Sequence, residues 1–118
     1  MGDGELGWRV DTLASARIVA PAGRVDESTA GAFGEQLTRS VAEAAADGSE
    51  VIAIDLSGVE YMSSRGLRAL TLAQRKAIEF GLRVVLTRPN EIMREILAIS
   101  RYDKVFRVHE RNEDALAG

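Results

Sequence analysis

Asp55-Leu56-Ser57-Gly58-Val59-Glu60-Tyr61-Met62-Ser63-Ser64-Arg65-Gly66-Leu67 joins two stretches with different hydrophobic periods. Before it, Val51-Ile52-Ala53-Ile54 runs almost unbroken in apolar and β-branched residues, the pattern of a strand covered on both faces. After it, apolar residues recur every three or four positions as far as Phe80, and Gly81 supplies a stop, which predicts a helix over residues 64–80. The segment therefore reads as a strand end, a loop across the carboxyl edge of a sheet, and a helix opening with Ser64 near its N-cap. Asp55 ends the strand and is placed to hydrogen-bond the loop. Ligands of open α/β sheets gather at that edge. At a helix start the first backbone N–H groups lack partners and the dipole is positive, so an anion is welcome there. Serine is also a preferred cap with no function at all.

Outward from this segment the pattern is regular. Trp8–Leu13 alternates with period two and Ala16–Ala20 is short and β-rich, which predicts an N-terminal antiparallel pair. Ser28 or Thr29 is positioned to cap a helix carrying Phe33, Leu37, Val41 and Ala44, closed by Asp47-Gly48. Leu82–Leu86 is a further buried strand. Pro89 stands where a first helical turn tolerates it, ahead of a stripe of Ile92, Met93, Ile96, Leu97 and Ile99. Val105–Val108 is a last short strand, and Glu113–Ala117 one helical turn. The order predicts a single α/β domain over residues 1–118 with a flexible start at 1–7. Its sheet holds about five strands, an antiparallel N-terminal pair and then mostly parallel, with three to four helices.

Composition narrows the chemistry. The chain has 118 residues, one domain's worth, with 46% hydrophobic and 28% charged residues. It has no cysteine and one histidine, His109, so thiolate and zinc sites and a histidine pair are not expected, and neither is any cofactor. No apolar run reaches the ~18 residues of a membrane helix and the start, Met1-Gly2-Asp3-Gly4-Glu5, is acidic, which predicts a cytoplasmic protein without membrane contact. The net charge of −3 conceals a split: residues 1–63 carry −7, residues 64–111 carry +6 and the tail −2. The sign changes at Ser64. Thirteen of the fifteen basic residues are arginine, suited to bidentate pairing with carboxylate or phosphate.

The combination of Asp55-Leu56, Tyr61-Met62, Ser64 and Gly66-Leu67 resembles the STAS-domain family of anti-sigma-factor antagonists. Their signature is an Asp-Leu strand end, an aromatic-Met pair and Asp-Ser-Ser/Thr-Gly-Leu opening a helix. Gly23-Arg24-Val25-Asp26 is similar to the family's Gly-x-Leu-Asp, and the element order agrees from Trp8 to Ala117. Ser63 stands where the family has an acidic residue and Arg65 where it has Ser or Thr. The resemblance implies that Ser64 is phosphorylated by a cognate anti-sigma factor with serine kinase activity, with Ser63 the second candidate and a phosphoserine phosphatase as the opposing partner. It implies no catalytic and no metal-binding residue. It also implies that Asp26, Ser63, Gly66 and the start of the helix contact the partner, while Gly23 and Asp55 shape the loops.

A helical wheel over residues 65–80 puts Leu67, Leu70, Ala73, Ala77 and Ile78 towards the core. It gathers Arg65, Arg68, Arg75 and Lys76 around Leu72 on the opposite side, with Glu79 at the far end. A leucine framed by four cations predicts a partner with an acidic or mixed surface. Three other readings compete. Nucleic-acid binding draws on the +6 segment, against a net acidic chain with 5% aromatic residues. A serine hydrolase lacks the Gly-x-Ser-x-Gly elbow and an acidic partner for His109. An accessory STAS subunit of a transporter or stress-sensing complex, without phosphorylation, shares the fold.

Overall fold

The computed structural model describes residues 5–117. The chain runs β1 (Gly7–Leu13), β2 (Ala16–Val25), α1 (Ala30–Ala46), β3 (Val51–Asp55), β4 (Val59–Met62), α2 (Ser64–Glu79), β5 (Arg83–Thr87), α3 (Glu91–Ser100) and β6 (Val108–His109). A 3-10 turn at Tyr102–Lys104 lies between α3 and β6, and a 3-10 segment at Asn112–Ala117 follows β6. The main path of the sheet is β1-β2-β3-β5-β6, with β1 antiparallel to β2 and the remaining pairs parallel.

β2 is ten residues long because it serves two partners in succession. Its first half pairs with β3, from Ala16 opposite Val51 to Val19 opposite Ile54. Its second half pairs with β4, after a register shift between Gly23 and Arg24. Gly23 sits at φ +118°, a backbone region closed to most side chains, and its N–H donates to Gly58 O at 2.9 Å. The chain thus leaves β3, turns, and pairs again with the same neighbour. That adds a sixth strand where the sequence reads as loop. Val59 and Met62 are buried while Glu60 and Tyr61 face out, too short an alternation to read as a strand unaided.

Alternate residues of the strands divide the core. Val19, Ile52, Ile54, Val84 and Leu86 join Phe33, Leu37, Leu67, Leu70, Met93 and Leu97 of the helices in one large cluster. On the opposite side Ala16, Ile18, Val51, Ala53 and Val85 cluster with Ala115 of the C-terminal turn, with Leu13 at the margin. Leu6 packs on the main cluster and Gly7 already belongs to β1, so order begins before the expected boundary at residue 7. Residues 1–4 of that expected flexible start lie outside the described residues.

Several local expectations are corrected. Asn90, not Pro89, begins α3: its side chain accepts from Met93 N at 2.9 Å, which leaves Pro89 just outside the helix. On the same helix Met93 and Leu97 take the core, whereas Ile92 and Ile99 are exposed. Ile78 is also exposed, because Ala77 makes the contact with the core and Ile78 lies a further 100° round α2. The last strand is Val108–His109 rather than Val105–Val108. Arg101 at φ +65° ends α3, a 3-10 turn follows, and Phe106 is drawn into the core, stacked on Tyr102 with ring centroids 6.1 Å apart.

Candidate functional site

The loop that delivers the site is fixed from below. Oδ1 of Asp55 accepts from Ser57 N at 2.9 Å and from Ser57 Oγ at 2.7 Å, turning the chain as it leaves β3. Oδ2 accepts from Arg88 Nη1 and from Asn112 Nδ2, each at 3.0 Å. Burial raises the pKa of this carboxyl, yet the donors from Ser57, Asn112 and Arg88 outweigh it and hold the group below its ordinary range. Asn90 closes the loop from the other side, its Nδ2 donating to Val59 O at 2.7 Å and Ser57 O at 3.2 Å. Sequence reasoning missed this clamp. The available signal was an Asn directly before Glu91-Ile92-Met93, a helix start.

At the end of β4, Ser63 N donates to Val25 O at 2.8 Å and the backbone turns into α2. Ser63 is the N-cap: extended at φ −77°, ψ 173°, it accepts from Gly66 N at 3.3 Å and is 8% exposed. Ser64 is the first helical residue and is exposed. The expected order is therefore shifted by one, with the cap at Ser63. Gly66 is buried because the helix start lies hard on the strands beneath it. A Cβ there would stand 2.6 Å from Met62 Cγ and 2.7 Å from Val25 Cγ1. Ser63 and Gly66, expected among partner contacts, are thus buried supports of the surface and do not form it.

The exposed part of the site is compact. Arg65 reaches across to Glu27, Nη1 to Oε1 at 3.2 Å, and so joins the helix start to the loop between β2 and α1. In that loop Asp26 Oδ1 accepts from Ser28 Oγ at 2.8 Å and Ser28 N at 3.0 Å, and Arg24 lies 3.7 Å from its other oxygen. The hydrogen bonds from Ser28 lead the causes that lower the pKa of this carboxyl. Arg24 also lies 4.6 Å from the centroid of the Tyr61 ring. Arg68 and Leu72 continue the exposed face, with Leu72 47% exposed. Arg75 and Lys76 share that face but lie ~16 Å along the axis from Arg65, and Lys76 approaches Glu79 at 3.8 Å. The structure therefore brings Asp26, Ser64, Arg65 and Arg68 together and leaves Arg75 and Lys76 apart. Glu27 was not legible, since its partner is 38 residues away.

No acidic residue occupies the first turn of α2, unlike α3, which carries Glu91. The acidic groups near the Ser64 hydroxyl therefore come from the β2–α1 loop, where Glu27 is engaged by Arg65, and not from α2 itself. His109 Nε2 is buried and makes no hydrogen bond among the described residues. Among the described residues no three His, Asp or Glu side chains converge as a metal site requires, and no helix is long and apolar enough to cross a membrane.

Comparison with known proteins agrees with this architecture. The model of the STAS domain matches residues 8–115. The anti-sigma-F factor antagonist RsfB of Mycobacterium tuberculosis (strain ATCC 25618 / H37Rv) is 32% identical over 104 residues, covering 86% of this chain and 79% of RsfB. An anti-sigma factor antagonist from Mycobacterium paratuberculosis superposes with a TM-score of 0.78 at 24% identity, covering 97% of this chain and 93% of the other. The phosphorylated form of the Bacillus cell fate determinant SpoIIAA superposes at 0.64 and 13% identity, covering 94% and 97%.

Proposed function

The chain belongs to the STAS domain family, and from that premise we propose that it is an anti-sigma-factor antagonist. In this reading it docks, in the cytoplasm, on an anti-sigma factor with serine kinase activity and is released when that kinase phosphorylates Ser64. A phosphoserine phosphatase restores the docking form. The observation that carries the reading is the division of labour at the mouth of α2. Ser63 is buried and spent as the cap, while Ser64 stands exposed at the start of a helix whose own first turn carries no acidic residue. The name of the M. tuberculosis relative supports the same role.

The physical consequences follow from charge. In the kinase complex the Ser64 oxygen attacks the terminal phosphorus of ATP and ADP leaves, placing ~−1.5 to −2 charges at the first turn of α2. Backbone N–H groups and the helix dipole stabilise that charge by ~0.3–1 kcal/mol in an exposed site, so the domain stays folded. A partner surface shaped to a neutral hydroxyl must instead desolvate a dianion. Every 1.4 kcal/mol lost there weakens binding about tenfold. The switch acts through the interface and requires no refolding.

The test is incubation of the purified chain with the anti-sigma kinase of its own genome and Mg-ATP, followed by mass spectrometry and calorimetric binding. One phosphate is expected on Ser64, retained in Ser63→Ala and absent in Ser64→Ala. Ser64→Ala should bind like the wild type, whereas Ser64→Asp should lose at least ~30-fold in affinity with an unchanged or higher melting temperature. A Ser64→Asp variant that binds normally, or a wild type that takes no phosphate, overturns the proposal.

A further inference from the structure

The exposed face of α2 is only one wall of a groove, and α1 is the other. Together they enclose about 760 Å³. The floor is made of small residues: a Cβ added at Gly34 would lie 3.6 Å from the Ala69 Cβ, which shows how closely the helices approach there. Gly31, one turn earlier on α1, is another matter. Nothing lies within 4 Å of the place its Cβ would occupy. Glycine is a poorer helix former than alanine, and at Gly31, in the first turn of α1, no close approach accounts for it. It leaves that wall of the groove open.

The charges on the rim are uneven. Glu35 and Arg39 stand one turn apart on α1, where Arg39 Nη1 donates to Gln36 Oε1 at 3.2 Å, and Arg65 is engaged by Glu27. Arg68 has no carboxylate partner among the described residues, nor has Arg75 beyond it on α2, and Leu72 is 47% exposed between them. The groove lining spans residues 30–42 of α1, ~18 Å of axis, the length of about three helical turns. Both walls are helices whose backbone groups are internally bonded, so an extended peptide finds no strand edge to join here.

Resting on the docking role above, we propose that this groove receives an amphipathic helix of the anti-sigma factor. An apolar residue of that helix seats on Leu72 and the small floor, and an Asp or Glu of it faces Arg68. Phosphorylation at Ser64 adds a dianion at one end of the same groove, where it repels that acidic helix. One charge pattern thus serves both attraction and release.

Gly31→Trp tests the claim, because the position is open and helical and the indole fills the groove without disturbing the core. With the anti-sigma kinase as probe, Gly31→Trp is expected to weaken binding at least tenfold while melting at or above the wild-type temperature. Arg68→Glu should weaken it comparably. A photo-crosslinker at Thr38, which lines the α1 wall, should join to a helical, acidic segment of the kinase. If Gly31→Trp binds within twofold of wild type while Ser64→Asp does not bind, the groove is unused and the switch stands. If Ser64→Asp also binds normally, the docking role fails and the groove proposal with it. A concentration-dependent dimer of the chain that Gly31→Trp abolishes would assign the groove to a second copy and overturn the proposal.

Discussion

At the scale of single residues, Ser63 is the extended N-cap whose hydroxyl turns in to accept from Gly66 N, whereas Ser64 is the first helical residue and meets solvent. Gly66 maintains the arrangement by letting α2 start directly on Val25 and Met62. In Gly66→Ala the new Cβ meets Val25, a stiff β-branched side chain, at a distance real contacts do not reach, so the helix start has to move. Overpacking of this kind costs ~1–3 kcal/mol. The variant should melt several degrees lower in a thermal scan and should be phosphorylated more slowly by the kinase. An unchanged melting temperature would show that α2 has slack at its start. Motif and capping chemistry are local in sequence, which is why the serine pair and the helix start were legible from residues 55–67. The Arg65–Glu27 pair and the α1 wall depend on how distant segments meet, and no pattern in the chain announced them.

At the scale of elements, the same distinction separates what was readable. Helices with a strong apolar stripe and the β3 run announced themselves through period. β4 did not, because four residues with two buried ends carry no periodic signal, and its pairing is set by the Gly23 shift in β2. Ile78, Ile92 and Ile99 show the converse: an apolar residue at helical spacing is buried only where the sheet extends beneath it. Asn90 is the element-level hinge of the site, capping α3 and holding the turn between β3 and β4 through carbonyls of Ser57 and Val59. Asn90→Ala removes a cap worth ~1 kcal/mol and takes the donor from the part-buried Val59 carbonyl, for a total of ~2 kcal/mol. Chemical denaturation should register that loss. Hydrogen exchange should speed up at residues 57–62 as well as in the first turn of α3, and acceleration confined to α3 would deny the clamp. Gly31→Ala, by contrast, should stabilise α1 by up to ~0.5 kcal/mol in the free domain, since its methyl meets nothing there.

At the scale of the molecule, the charge split of the sequence is partly reconciled in space. Among the described residues two ion pairs cross the divide, Arg65 with Glu27 and Arg88 with Asp55, one at each end of the segment that carries the site. The first is exposed on both sides and contributes little. The second is different, because the Asp55 side chain is 4% exposed and ties β3 to the end of β5 and to the C-terminal turn. Its acidity is raised by folding despite burial, as hydrogen bonds from Ser57, Asn112 and Arg88 favour the carboxylate. A carboxyl whose folded pKa lies below its unfolded one stabilises the fold fully above the unfolded value, ~3.9, and the benefit is lost as pH falls through the folded value. Asp26, Asp47 and Glu110 are shifted in the same direction, so the whole molecule should weaken in acid below pH ~4. Asp55→Asn keeps the shape but gives up the charge and should cost ~2–3 kcal/mol at neutral pH. Its melting temperature should then fall less steeply than that of the wild type between pH 5 and pH 2.5, so that the two curves converge in acid. Parallel curves over that range would mean that the Asp55 network is not what acid dissolves, and the anchoring of the β3–β4 turn would have to be sought in Asn90 alone.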